Sequence, residues 1–128
     1  MGAAQQEKLL KLALRLFGVV FMLVYPLAIV WPSGWQWHGG EGMYYFQMIV
    51  GIYATLGIFL ILAANNPAEH RCLIAFTIWS SVVHAVIMAV QAVGDPAETG
   101  HLIGDVPALL LVAIVLRLLM PSGTSVQP

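Results

Sequence analysis

Residues 72–93, CLIAFTIWSSVVHAVIMAVQAV, decide the fold. The run contains no Asp, Glu, Lys or Arg. As an α-helix rising about 1.5 Å per residue, it is long enough to cross a hydrocarbon layer of about 30 Å. It is not uniformly apolar, however. At about 3.6 residues per turn, Thr77, Ser80, Ser81, His84, Met88 and Gln91 gather within about 100° of arc, with Ala85, Ala89 and Ala92 beside them. Phe76, Trp79, Val83, Val86, Ile87 and Val90 take the opposite side. In lipid the polar, small-residue side turns inward, because an unpaired amide or imidazole in hydrocarbon costs several kcal/mol. The Ser81, Ala85, Ala89 spacing also allows a neighbouring backbone to come close.

Working outward, the flanks carry strong breakers. Upstream, Asn65-Asn66-Pro67 ends an apolar run from about Met43 to Ala64, and Glu69, His70 and Arg71 form a short charged turn. Downstream, Gly94-Asp95-Pro96 opens a loop over about 94–101 with Asp95 and Glu98, expected as a solvated turn. A last helix follows over about 102–120, with Asp105 expected as N-cap and Pro107 in the first turn, where its missing N–H does no harm. At the other end, about 9–31 forms the first helix. Lys8, Lys11 and Arg15 lie on one stripe and can snorkel to the headgroups, and Pro26 is placed to kink it. A cleaved signal peptide is the rival reading, but the stretch is too long and ends in Trp31-Pro32 without a small-residue cleavage site. Trp31, Trp35 and Trp37 mark residues 31–42 as an interfacial loop. The polar tail, 121–128, reads as disordered.

Composition agrees. Of 128 residues, 60% are hydrophobic and 9% charged, against about 25% charged in soluble domains. With four spans, all five Lys and Arg fall on one side, and Glu41, Asp95, Glu98 and Asp105 on the other. The expected fold is therefore a single all-α domain, an integral membrane antiparallel four-helix bundle with both termini cytoplasmic. The few scattered cations exclude a nucleic-acid surface. Gly39, Gly40 and Gly42 lack the Lys and Ser/Thr of a phosphate loop. A lone Cys72 excludes an intrachain disulfide.

His84 is the foremost candidate for chemistry, since an ionisable group midway along a membrane helix defaults to a functional hypothesis. It can relay protons, ligate a metal or hold a lipid-like ligand; alternatively it bonds Gln47, Thr55 or a Tyr across the bundle. Tyr44, Gln47, Met48, Gly51 and Thr55 form the expected inward stripe of the second helix, and Gly18, Met22 and Tyr25 that of the first. A ligand site is expected around Tyr44, Gln47, Thr55, Ser80, His84 and Gln91. The outer rim collects His38, Glu41, His101 and Asp105; Glu41, His84, His101 and Asp105 are the candidates for acid, base or metal-ligand roles. Their spacing matches no known metal site, no other helix offers a second central His for haem, and no cofactor or metal is expected.

The segments WPSGWQWHGGEGMYYFQMIVGIYATLG (31–57), NPAEHRCLIAFTIWSSVVHAVIMAVQA (66–92) and GHLIGDVPALLLVAIVL (100–116) resemble an uncharacterised family of small bacterial four-helix membrane proteins. The resemblance implies a bacterial inner-membrane setting and supports four helices, but it supplies no activity. The layout is also similar to that of DoxX-like proteins, some of which accompany quinone-linked oxidoreductases, a likeness of architecture only.

Three functional classes follow, in this order. The first is an accessory or scaffold subunit that packs on a larger membrane partner or on a second copy. The second is a binding or transport module for a lipophilic molecule, such as a quinone or lipid, or for a proton. It predicts a cavity beside His84. The third is an enzyme at the outer surface, which requires His101, Asp105, Glu41 or His84 to converge.

Overall fold

The computed structural model describes residues 1–36 and 42–121, and all the regular structure among them is helical. Helix α1 spans Ala3–Met22, α2 Val24–Val30, α3 Pro32–Trp35, α4 Gly42–Ala63 and α5 Arg71–Gly94. A 3-10 helix, η1, covers Pro96–Leu102, and α6 covers Asp105–Leu119. Tyr44–Ala63, Arg71–Gly94 and Pro96–Leu119 are long and apolar enough to cross a membrane. The pair α1 and α2 makes a fourth such stretch if taken together, bent by 57°. Trp37, His38 and Glu41, and the tail after residue 121, lie outside the described residues.

The bend has a local cause. Pro26 has no N–H to donate to the Met22 carbonyl, and its ring crowds that turn. The helix accordingly breaks at Leu23, whose N–H is shared between the carbonyls of Val19 and Val20 at 3.1 and 3.0 Å. Beyond the break, α2 leads into α3, which lies across η1. The Ser33 and Gly34 backbones press so closely on Gly100 and Gly104 that neither glycine leaves room for a Cβ.

Packing is uneven. Helix α1 runs antiparallel along α4, α5 along α6, and α1 also meets α6. The α1/α4 crossing centres on Gly18 and Gly57; a Cβ on Gly18 would sit 2.6 Å from the Gly57 carbonyl oxygen. Leu10, Leu14, Phe21, Leu60, Ile74, Ile78, Leu109 and Leu116 form the core. Helices α4 and α5, although joined by a short turn, barely approach each other. The order around the molecule is thus α4, α1, α6, α5, with a gap between the last and the first.

Both termini of the described chain sit at one end. Gln6 Nε2 donates to the Leu119 carbonyl at 3.2 Å, and Arg71 Nη2 donates to the Pro121 carbonyl at 3.0 Å. Cys72 is exposed at this same end.

The inward side of α5 follows its pattern in part: Gln91 is exposed, and Val83 and Ile87, expected outward, line the space between the helices. Thr77, Ser81, Ala85 and Ala92 are buried, and Phe76, Trp79 and Val90 are exposed. The expected stripe of α4 is reversed: Tyr44, Gln47, Met48, Gly51 and Thr55 all face outward. The inner line is instead Phe46, Ile49, Tyr53, Leu56, Gly57 and Leu60. Thr55 needs no partner across the structure, because its hydroxyl donates to the Gly51 carbonyl one turn back at 2.9 Å. On the first helix Gly18 is buried and Met22, although partly exposed, lies against Gly57 of α4; Tyr25, beyond the break, is exposed.

Candidate functional site

The gap between α4 and α5 widens into a cavity of about 690 Å³. Its walls are mainly apolar: Phe17 and Phe21 from α1, Phe46 and Ile49 from α4, Ile87 and Met88 from α5, and Ala108, Leu109 and Val112 from α6. Trp35 of α3 also lines it. Seven side chains with hydroxyl, amide, imidazole or carboxylate groups line it: Tyr45, Tyr53, Ser80, His84, Gln91, His101 and Asp105.

The first polar group bridges the gap. The Tyr53 hydroxyl hydrogen-bonds His84 Nδ1, and the two rings lie 5.6 Å apart, tilted by 34°. Tyr53 also meets Phe21 at 5.1 Å, which fixes its ring from the α1 side. His84 Nδ1 is the hydrogen-bond partner of the Tyr53 hydroxyl among the described residues, and we assign the phenolic proton to this bond, with Nδ1 as acceptor. In the neutral imidazole the remaining proton is then on Nε2. Ser80 is turned away from His84 and donates to the Thr77 carbonyl at 3.3 Å.

The second polar group is built at the junction of η1 and α6. His101 Nδ1 lies 2.9 Å from Asp105 Oδ2, and Nε2 lies 3.3 Å from Glu98 Oε2. Positions 98, 101 and 105 follow one helical stripe, so the imidazole falls between two carboxylates. All three are buried, His101 at 1% exposure. Asp105 Oδ1 has no hydrogen-bond partner among the described residues.

This geometry corrects the expected loop over 94–101. Asp95 alone behaves as a turn residue, its carboxylate accepting from the Ala97 N–H at 2.9 Å to cap η1. Glu98 and His101 are inside rather than solvated, since α3 covers η1. Asp105 is not an N-cap: it is the first residue of α6, the cap position belongs to Gly104, and its carboxylate is committed to His101.

Of the residues singled out by sequence, Ser80, His84, Gln91, His101 and Asp105 meet at the cavity. Tyr44, Gln47 and Thr55 lie on the outer side of α4, and Glu41 falls outside the described residues. Tyr53, Trp35 and Glu98 are the additions. The 98, 101, 105 spacing was the available signal for Glu98. Among the described residues, no three His, Cys, Asp or Glu side chains are arranged to hold a metal ion.

A family model matches residues 4–128. The chain belongs to DUF6632, a family of unknown function. DUF6632 membership fits the resemblance to an uncharacterised family and brings no reaction with it. Neither the curated proteins nor the solved structures gave a match to the chain.

Proposed function

We propose that this DUF6632 chain is a membrane-embedded binding protein for a lipophilic small molecule, held in the cleft between α4 and α5. The supporting observation is the cavity itself. About 690 Å³ lies within the range of about 300–1,000 Å³ typical of ligand pockets, and the lining combines a broad apolar wall with one buried polar cluster and one partly buried. An accessory or scaffold role, alone or as a homo-oligomer, gives no reason for two helices adjacent in sequence to be held apart.

Ala108 lines the cavity from α6. Native mass spectrometry of protein extracted in mild detergent should show a co-purifying lipophile, and Ala108→Phe should lower its occupancy at least about tenfold while the helical circular dichroism is kept. Wild-type protein that carries no lipophile and takes up none on addition would refute the reading.

The same proposal places the chain as a four-span bundle of DoxX-like layout in a bacterial inner membrane, both termini in the cytoplasm. All five Lys and Arg lie toward the terminal end, as the positive-inside rule asks of a cytoplasmic face. Cys72 is a built-in reporter, being the sole cysteine and exposed at that end. A membrane-impermeant maleimide applied to intact cells should leave it unlabelled and should label it after permeabilisation. Labelling of intact cells would reverse the orientation.

A further inference from the structure

We infer that the occupant of the cleft carries a hydroxyl head, as an aliphatic alcohol or a phenol does, and that His84 and Asp105 read it. The inference rests on the binding role proposed above and adds the chemistry of the ligand's polar end.

The two polar clusters offer opposite hydrogen-bonding character. With Tyr53 donating to His84 Nδ1, the proton on His84 Nε2 is a donor with no acceptor among the described residues. Asp105 presents an acceptor. One carboxylate oxygen is taken by His101 at 2.9 Å, and the other, Oδ1, is buried without a partner among the described residues. An acceptor left so in low-dielectric surroundings is costly unless a donor meets it.

The ligand head must therefore both accept and donate. A ketone, ester or ether only accepts and leaves Asp105 unmet. An ammonium only donates and leaves the His84 proton unmet. A hydroxyl does both through a single oxygen. The surrounding wall is apolar, with Phe17, Phe46, Ile49 and Ile87 positioned for the hydrocarbon portion. His101 and Glu98 are positioning residues here: His101 fixes the rotamer of Asp105 and so leaves Oδ1 as the reading atom.

The test compares three probes of equal chain length, 1-dodecanol, 1-methoxydodecane and dodecylamine, titrated into detergent-solubilised protein and read by native mass spectrometry. The alcohol should bind about tenfold tighter than the ether, the difference that one well-made hydrogen bond to a charged group supplies. Asp105→Asn should bring alcohol and ether within about threefold of each other, whereas His84→Phe, which removes the donor that both heads accept from, should weaken alcohol and ether by a similar factor and keep the preference for the alcohol. Two variants are used so that a folding defect in one leaves the other decisive. Equal binding of alcohol and ether to wild-type protein, or amine binding tighter than alcohol, would overturn the hydroxyl assignment while leaving the cleft as a binding site. No binding of any probe would overturn both.

Discussion

His101→Leu should destabilise the protein by about 3–5 kcal/mol, the cost of removing one partner from a buried charged cluster. The ring is almost wholly inaccessible and lies 2.9 Å from one carboxylate and 3.3 Å from another. Leu matches it roughly in volume but supplies no N–H, so Asp105 keeps its burial and loses its donor. Adding Asp105→Asn to His101→Leu should recover at least about 1 kcal/mol, because a neutral amide is far cheaper to bury than an unpaired carboxylate. Chemical unfolding in a mild detergent, followed by circular dichroism, measures both variants. If His101→Leu unfolds at the wild-type midpoint, the cluster contributes nothing to stability and its burial is incidental.

Two glycines on α4 give the second large effect, as a difference in sign. Gly57 lies where α1 and α4 cross, and a Cβ there would run into the Gly18 carbonyl and the Met22 side chain. Gly57→Ala should therefore force the helices apart at a cost of about 1–3 kcal/mol, as overpacking does. Gly51 has open space where its Cβ would be. Gly51→Ala should leave stability unchanged or raise it by up to about 1 kcal/mol through helix propensity alone. The same unfolding measurement on the pair checks this. Equal effects at the two positions would mean that the α1/α4 crossing is not where the structure puts it.

That pair also shows where the sequence was legible and where it was not. Gly51 stands four residues before Thr55, a small-residue spacing, whereas Gly57 has Tyr53 and Ile61 at that distance, yet it is Gly57 that meets a neighbour. The run 72–93 was readable because Ser81, His84 and Gln91 are scarce polar groups that lipid tolerates on one side only. Helix α4 was not, because apolar residues occur all round it. The line Phe46, Ile49, Tyr53, Leu56 and Leu60 has no polar counter-face in lipid, where both sides are greasy. The polar stripe that did stand out, Tyr44 to Thr55, faces outward, and Thr55 is satisfied by its own helix.

At the site, His84 was visible as an ionisable residue in the wrong solvent, whereas His101 was read as part of the outer rim and Asp105 as an N-cap. Their company was not visible. Tyr53 faces His84 only because α4 and α5 stand apart by about the reach of two aromatic side chains. Glu98 was read as wet because Gly94-Asp95-Pro96 is ordinary turn chemistry, and the cover comes from α3, brought over η1 by a bend that Pro26 sets far upstream in the chain.

The roof formed by α3 has a bearing on how the cleft is supplied. Trp35 of α3 lines the cleft beside η1, and in the membrane setting proposed above the gap between α4 and α5 would let ligand enter sideways, through the acyl chains rather than from water. Occupancy would then follow the mole fraction of ligand dissolved in the bilayer, not its aqueous concentration. A compound with negligible water solubility would be no poorer a ligand for that, and a soluble analogue of the same head group, lacking a tail to carry it into the membrane, would not compete.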